Sequence, residues 1–131
     1  MRYLLDSGVW LWSISSTEKL NEKGCEIIAG ADVEIYFSAA SAWELSIKAR
    51  LGKLHLPSEP ARCIPEFMAK QGLLPLPVTH LHGLKVYDLP LHHNDPFDRL
   101  IIAQAILENL VILTADRAFK KYPVEIVWCG R

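Results

Sequence analysis

Four acidic residues from distant parts of the chain each stand where an aliphatic run ends or begins. Asp6 follows "RYLL" (2–5), Glu44 lies in "SAWELSIKARLG" (41–52), Asp98 in "HHNDPFDRLIIAQA" (92–105), and Asp116 comes just after "VILT" (111–114). Each has an ordinary reading: a loop acid at Asp6, a capping-box acid three residues after Ser41 at Glu44, a first-turn acid at Asp98, and a turn former at Asp116. Together they can do more. Carboxylates held a few ångströms apart repel, and either protonation or a cation must relieve that repulsion. A hard divalent ion suits an all-oxygen donor set, so the expected ion is Mg²⁺, with Mn²⁺ as the alternative. No adjacent His–Cys pair supports zinc. Asp95 is set apart from the four, because its place before Pro96 is that of a helix N-cap.

Whether the four acids meet depends on the elements that carry them. Short aliphatic strands are expected at 2–5, 34–39 ("EIYFSA"), 110–113 ("LVIL") and 124–128 ("VEIVW"), with "LLPLPV" extended. Helical patterns fall between them. One begins at residues 9–12. Another lies in "STEKLNEKGCEIIAG", with Leu20, Ile27 and Ile28 on one face, Thr17 as cap and Gly30 as stop. A third is 41–52, with Ser41 as cap and Gly52 closing it. A fourth spans 60–72, with Pro65 obscuring its start. A short helix after Thr79 ends before Pro90, and the last full helix is 96–109. Strands alternating with helices imply an α/β domain, a parallel β-sheet flanked by helices on both faces. In such a sheet Asp6, Glu44 and Asp116 share the edge formed by the carboxyl ends of the strands, where open α/β sheets bind ligands. The helix opened by Asp98 runs into "LVIL", so its N-terminus reaches that same edge.

The bulk composition bounds the partners. The 131 residues suffice for one domain, half are hydrophobic, and 14 basic residues nearly balance 15 acidic ones. A nucleic-acid protein usually shows a basic excess; here any such binding has to rest on a local patch or on bound metal. Cys25, Cys63 and Cys129 form no C-x-x-C pair, which fits a reducing cytosol and a cytoplasmic protein. The opening "MRYLLDSG" meets an aspartate too early for a signal peptide. No apolar run approaches the ~20 residues of a membrane span.

"YLLDSGVWLW", "SAASAWELSIKARLGKL", "HHNDPFDRLIIAQA" and "ILTADRAF" together resemble the PIN-domain ribonucleases, in particular the VapC-type toxins of bacterial toxin–antitoxin pairs. The resemblance runs from residue 3 to about residue 127, with the motifs in the family's order and at its spacing. It implies a three-layer PIN-like fold, with Asp6, Glu44, Asp98 and Asp116 as the acidic quartet around Mg²⁺. It also implies supporting hydroxyls at Ser7 and Thr114. Gly8 departs from relatives that carry a larger residue there, so a contact made at that place is expected to be missing. The implied activity is cleavage of single-stranded RNA regions by a metal-activated water, leaving a 5′-phosphate and a 3′-hydroxyl. The implied partners are a cognate antitoxin, the RNA and a second copy of the chain in a homodimer. Lys48, Arg50, Lys53, Arg99 and Arg117 lie near the acidic motifs and are candidates for phosphate contacts.

Other conspicuous residues have plainer expectations. Trp10 and Trp43 are expected to be buried, and Trp12 to line a groove. The histidines at 80, 82, 92 and 93 lack H-x-x-x-H spacing and read as loop or helix-surface residues, with His93 the one to approach the acids. The competing function is a PIN-like module that binds without cleaving, against which the complete quartet argues. A phosphatase with a covalent aspartate needs a second acid two residues after the nucleophile, and the residue two after Asp6 is Gly8.

Overall fold

Apolar runs that alternate with helices find one solution in the computed structural model, which describes all of residues 1–131. Strands β1 (Arg2–Leu5), β2 (Glu34–Ser38), β3 (Leu74–Leu76), β4 (Val111–Thr114) and β5 (Ile126–Trp128) form one sheet in the order β3-β2-β1-β4-β5. Every pairing is parallel. Side chains alternate across it as a pleat requires. Tyr3, Leu5, Ile35, Phe37, Val111 and Leu113 enter one core, and Leu4 and Ile112 enter the other. The strands read as continuous aliphatic runs because both faces are covered.

The helices are α1 (Ser7–Ser15), α2 (Glu22–Ala29), α3 (Ala39–Arg50), α4 (Pro60–Gln71), α5 (His80–Lys85) and α6 (Pro96–Glu108). Val9 and Trp10 of α1, Leu45 of α3, and Cys63 and Ile64 of α4 build the first core. Ile101, Ile102 and Ala105 of α6 build the second, joined by Leu89, Phe119 and Tyr122. This is the expected three-layer α/β architecture. Strand order runs outward from β1 through β2 to β3 on one side and from β4 to β5 on the other. The direction of winding therefore reverses between β1 and β4, and at such a switch point a crevice opens at the carboxyl edge.

Several local expectations need correction. Helix α3 starts at Ala39, and its cap is Ser38, whose hydroxyl accepts from the Ala40 amide at 3.0 Å. Ser41 therefore lies inside the helix, buried, with its hydroxyl unpaired. Glu44 moves into the second turn and caps nothing. The single helix expected from Thr17 is interrupted: a 3₁₀ turn covers Thr17–Lys19, and α2 begins after Asn21. The Asn21 side chain accepts from the Gly24 amide at 2.7 Å and donates to the Trp128 carbonyl at 2.9 Å, which pins that break to β5. Pro65 lies within α4, whose first residue is Pro60. His82 is buried rather than on the surface: it completes a capping box with Thr79 and contacts Glu108 at 2.9 Å. No helix is long and apolar enough to cross a membrane.

Candidate functional site

Asp6 is the first residue beyond β1, and its amide donates to the Leu113 carbonyl at 3.0 Å, extending the β1–β4 ladder by one rung. Its carboxylate is thereby fixed at the switch point, where it is 6% exposed. Thr114, the last residue of β4, donates its hydroxyl to Asp6 Oδ2 at 2.8 Å and accepts from the Asp116 amide at 3.0 Å. One threonine thus ties together two of the acids. Asp116 in turn accepts from the Ala118 amide and caps the 3₁₀ turn Arg117–Lys121. Glu44 is 4% exposed. Ser7 donates to its Oε1 at 2.9 Å and Lys48, one helical turn on, donates to its Oε2 at 2.9 Å.

Asp98 stands in the first turn of α6. Asp95 caps that helix, with Oδ1 accepting from the amides of Phe97 and Asp98 at 2.9 and 3.0 Å. His93 approaches Asp98, with Nε2 at 3.2 Å from Oδ2, and its Nδ1 lies 2.6 Å from the Tyr122 hydroxyl. Sequence reading missed Tyr122, since nothing in "KKYPV" distinguishes it from a surface tyrosine. That hydroxyl also accepts from the His93 backbone amide at 3.3 Å and from Arg99 at 3.1 Å. Arg99 is buried and also donates to the carbonyls of Pro90, Val86 and Leu89. Its expected phosphate contact is therefore corrected: the guanidinium is used up inside the protein, holding the 86–90 segment against α6.

Asp6, Ser7, Glu44, Lys48, Asp95, Asp98 and Asp116 line one cavity of about 280 Å³, together with Gly8, Trp12 and Ala115. A Cβ on Gly8 would meet only Asp6 Oδ2, at 3.9 Å, so the glycine leaves space beside that carboxylate. Burial, followed by the charges of Asp98, Asp116 and Glu44, pushes Asp6 up to about 7 even though Thr114 holds its ionised form. Burial also leads at Asp98, which Asp95, Asp116 and Glu44 help to raise to about 7. Lys48 is raised too, chiefly by its hydrogen bond to Glu44. In this arrangement no three acidic, histidine or cysteine side chains are grouped closely enough to hold an ion between them. Three of the acids have partners of their own: Ser7 and Lys48 donate to the two oxygens of Glu44, Thr114 donates to Oδ2 of Asp6, and His93 meets Oδ2 of Asp98. These donors offset some of the mutual repulsion of the acids.

The remaining candidates scatter. Arg50 lines a separate hollow of about 540 Å³ with His55 and Glu59. Lys53 and Arg117 are exposed. Trp10 is buried as expected, whereas Trp43 is 60% exposed and packs edge-on against Phe97 at 5.1 Å. Trp12 lines the carboxylate cavity. All three cysteines are free.

Residues 3–125 match the family model described as PIN domain, and the chain belongs to the PIN domain family. A curated relative, Ribonuclease VapC16 from Mycobacterium tuberculosis, is 50% identical over 48 residues, which are 37% of this chain and 34% of that protein. The match thus spans about a third of the relative's length. Among solved structures, VapBC2 from Rickettsia felis bound to a DNA fragment from its promoter aligns with a TM-score of 0.72 at 18% identity, covering 97% of this chain and 98% of that one. VapBC-5 from Mycobacterium tuberculosis, a member of the VapBC family of toxin-antitoxin systems, aligns with a TM-score of 0.63 at 19% identity, covering 97% and 98%. At these identities the likeness is one of fold.

Proposed function

We propose that this chain is a Mg²⁺-dependent endoribonuclease, the toxin of a type II toxin–antitoxin pair, which hydrolyses phosphodiester bonds in single-stranded regions of RNA. The observation that carries the reading is the convergence of Asp6, Glu44, Asp98 and Asp116 on one cavity, with Asp6 and Asp98 both raised to about 7. A site that resists its own ionisation favours a cation. The donors are all oxygens, which fits Mg²⁺, or Mn²⁺ in its place. Asp6, Glu44, Asp98 and Asp116 would hold the ion, which requires their carboxylates to draw closer together than they stand here. When bound, it supplies a hydroxide from a coordinated water and positive charge for the leaving oxygen.

The chain's own contribution is positioning. Thr114 and the backbone of β4 fix Asp6, Ser7 orients Glu44, and the Asp95 cap sets the first turn of α6 from which Asp98 projects. Lys48 is the only cation lining the cavity and brings positive charge to a phosphate that enters it. No side-chain nucleophile is required. The name of the M. tuberculosis relative supports ribonuclease activity, and the likeness of fold to VapBC complexes supports an antitoxin as protein partner. The reading includes a homodimer and a cytoplasmic location, as the resemblance of the motifs to VapC-type toxins implies.

The second reading, a module that binds without cleaving, draws on the Lys48–Glu44 pair, which already satisfies one of the acids. The chemistry of the product ends separates the two. The purified chain, given single-stranded RNA and Mg²⁺, is expected to yield 5′-phosphate and 3′-hydroxyl ends, the outcome when an activated water attacks phosphorus and the 3′ oxygen leaves. Ends bearing 2′,3′-cyclic phosphate, or no cleavage at all, would overturn the proposal.

A further inference from the structure

Beside the carboxylate cavity lies a second hollow of about 420 Å³, lined by Trp12, Glu18, Lys19, Ala115, Trp128, Gly130 and Arg131. The two share Trp12 and Ala115, so one opens along the flank of the other. Their adjacency is built into the sheet: Trp128 is the register partner of Thr114, the residue whose hydroxyl holds Asp6. Both indoles are only partly buried. Each has an ammonium over its face, Lys19 at 5.9 Å from the Trp12 ring and Lys120 at 4.3 Å from the Trp128 ring. Arg131 is anchored through its Nε to the Leu20 carbonyl at 3.0 Å. A Cβ on Gly130 would press on Ala115 at 3.2 Å and on the Trp128 indole at 3.4 Å, so a larger residue there would crowd the wall the two cavities share.

We propose that this second hollow is a nucleotide-binding subsite, in which a base of single-stranded RNA beside the scissile phosphate replaces Lys19 over the Trp12 ring or Lys120 over the Trp128 ring, and the displaced ammoniums and Arg131 take the flanking phosphates. The inference rests on the ribonuclease reading and extends it to substrate recognition. Aromatic faces with interleaved cations are the general means of gripping single strands, because every base has a π-face and every linkage a charge. Three cations against the single Glu18 favour a polyanion over a basic protein segment. The subsite also gives a chain of net charge −1 the local positive patch that RNA binding demands.

The test uses the full chain carrying Asp98→Asn, without metal, and two tagged oligonucleotides of equal length: a mixed-sequence single-stranded RNA and its fully abasic counterpart. The base-bearing strand is expected to bind about fivefold tighter or more. Trp128→Ala or Trp12→Ala should erase most of that preference, and Phe at either place should restore it. Lys19→Gln with Lys120→Gln should weaken both ligands alike and flatten the salt dependence. Because Trp12 also packs against the core, Trp128→Ala and the surface lysine pair carry the test should Trp12→Ala unfold. Folded alanine variants that keep the full preference for bases would overturn the subsite. So would Trp128-dependent capture of a lysine- and leucine-rich amphipathic peptide with RNA binding untouched, which would assign the hollow to a protein partner. A parallel wild-type assay in Mg²⁺ separates the two levels: RNA cleaved but Trp128 irrelevant removes the subsite alone, whereas no cleavage removes the ribonuclease reading and the subsite with it.

Discussion

Asp6 has like charges for neighbours and almost no contact with water, so in the metal-free protein its ionisation opposes folding. Its proton affinity in the folded chain corresponds to a pKa of about 7 against an ordinary 3.8, and Asp98 behaves the same way. An acid raised by folding binds its proton more tightly in the native state. Its stabilising contribution is complete below the unfolded value and is lost as pH rises through about 7. Metal-free melts should therefore show stability falling between about pH 4 and about pH 7 and levelling off above, with the slope reduced by Asp6→Asn or Asp98→Asn. Above about pH 7, Asp6→Asn should be more stable than wild type by on the order of 1–2 kcal/mol, less than the full shift implies because the acids titrate together. A destabilised Asp6→Asn at high pH would mean that the carboxylate is held by favourable contacts rather than against its neighbours. Adding Mg²⁺ should remove most of the wild-type slope, which is readable in the same melts.

Helix α6 shows how one element serves structure and site at once. Asp95 is its cap, so Asp95→Asn should preserve stability and most activity, whereas Asp95→Ala should cost ~1 kcal/mol in a thermal melt. If Asp95→Asn raised the Mg²⁺ requirement as strongly as Asp98→Asn, Asp95 would be a fifth ligand. One turn on, Arg99 bonds three carbonyls and a hydroxyl from within the core. Arg99→Met should cost about 2–3 kcal/mol, since buried acceptors are left unpaired, while the RNA affinity of the folded fraction stays as it was. Lost affinity without lost stability would return Arg99 to the phosphate-binding set. The sequence made much of this element legible, because "NDP" writes cap and first turn together and the aliphatic run after it has to be buried. Strands β1 and β4 were legible for the same reason. The start of α3 was not: Ser38 and Ser41 are equivalent as caps on local chemistry, and only Gln104, from the far side of the chain, gives Ser38 its second partner. The exposure of Trp43, the burial of His82 and the role of Tyr122 were illegible too, since each depends on which helix lies opposite.

At the scale of the whole molecule, the reversal of winding between β1 and β4 sets four unremarkable acids around one cavity. Net charge concealed it, for a chain of charge −1 can hold a strongly negative cavity beside a cationic hollow. What the sheet order supplies is a rigid edge on which Asp6 and Asp116 are linked through Thr114, while α3 and α6 bring Glu44 and Asp98 from opposite faces. Rigidity matters because a misplaced ligand by itself loses much of the rate. The central claim is that these acids work through a divalent ion, and it is tested most directly by the rate of single-stranded RNA cleavage across a Mg²⁺ titration, wild type against Asp98→Asn, with melts confirming that both are folded. The account predicts a wild-type rate that rises with Mg²⁺ and vanishes in EDTA, and a folded Asp98→Asn slower by roughly 100-fold or more, since the loss of a mere supporting partner of a metal ligand already costs about 10–100-fold. Cleavage that persists in EDTA, or a folded Asp98→Asn that keeps pace with wild type at every Mg²⁺ concentration, would contradict it.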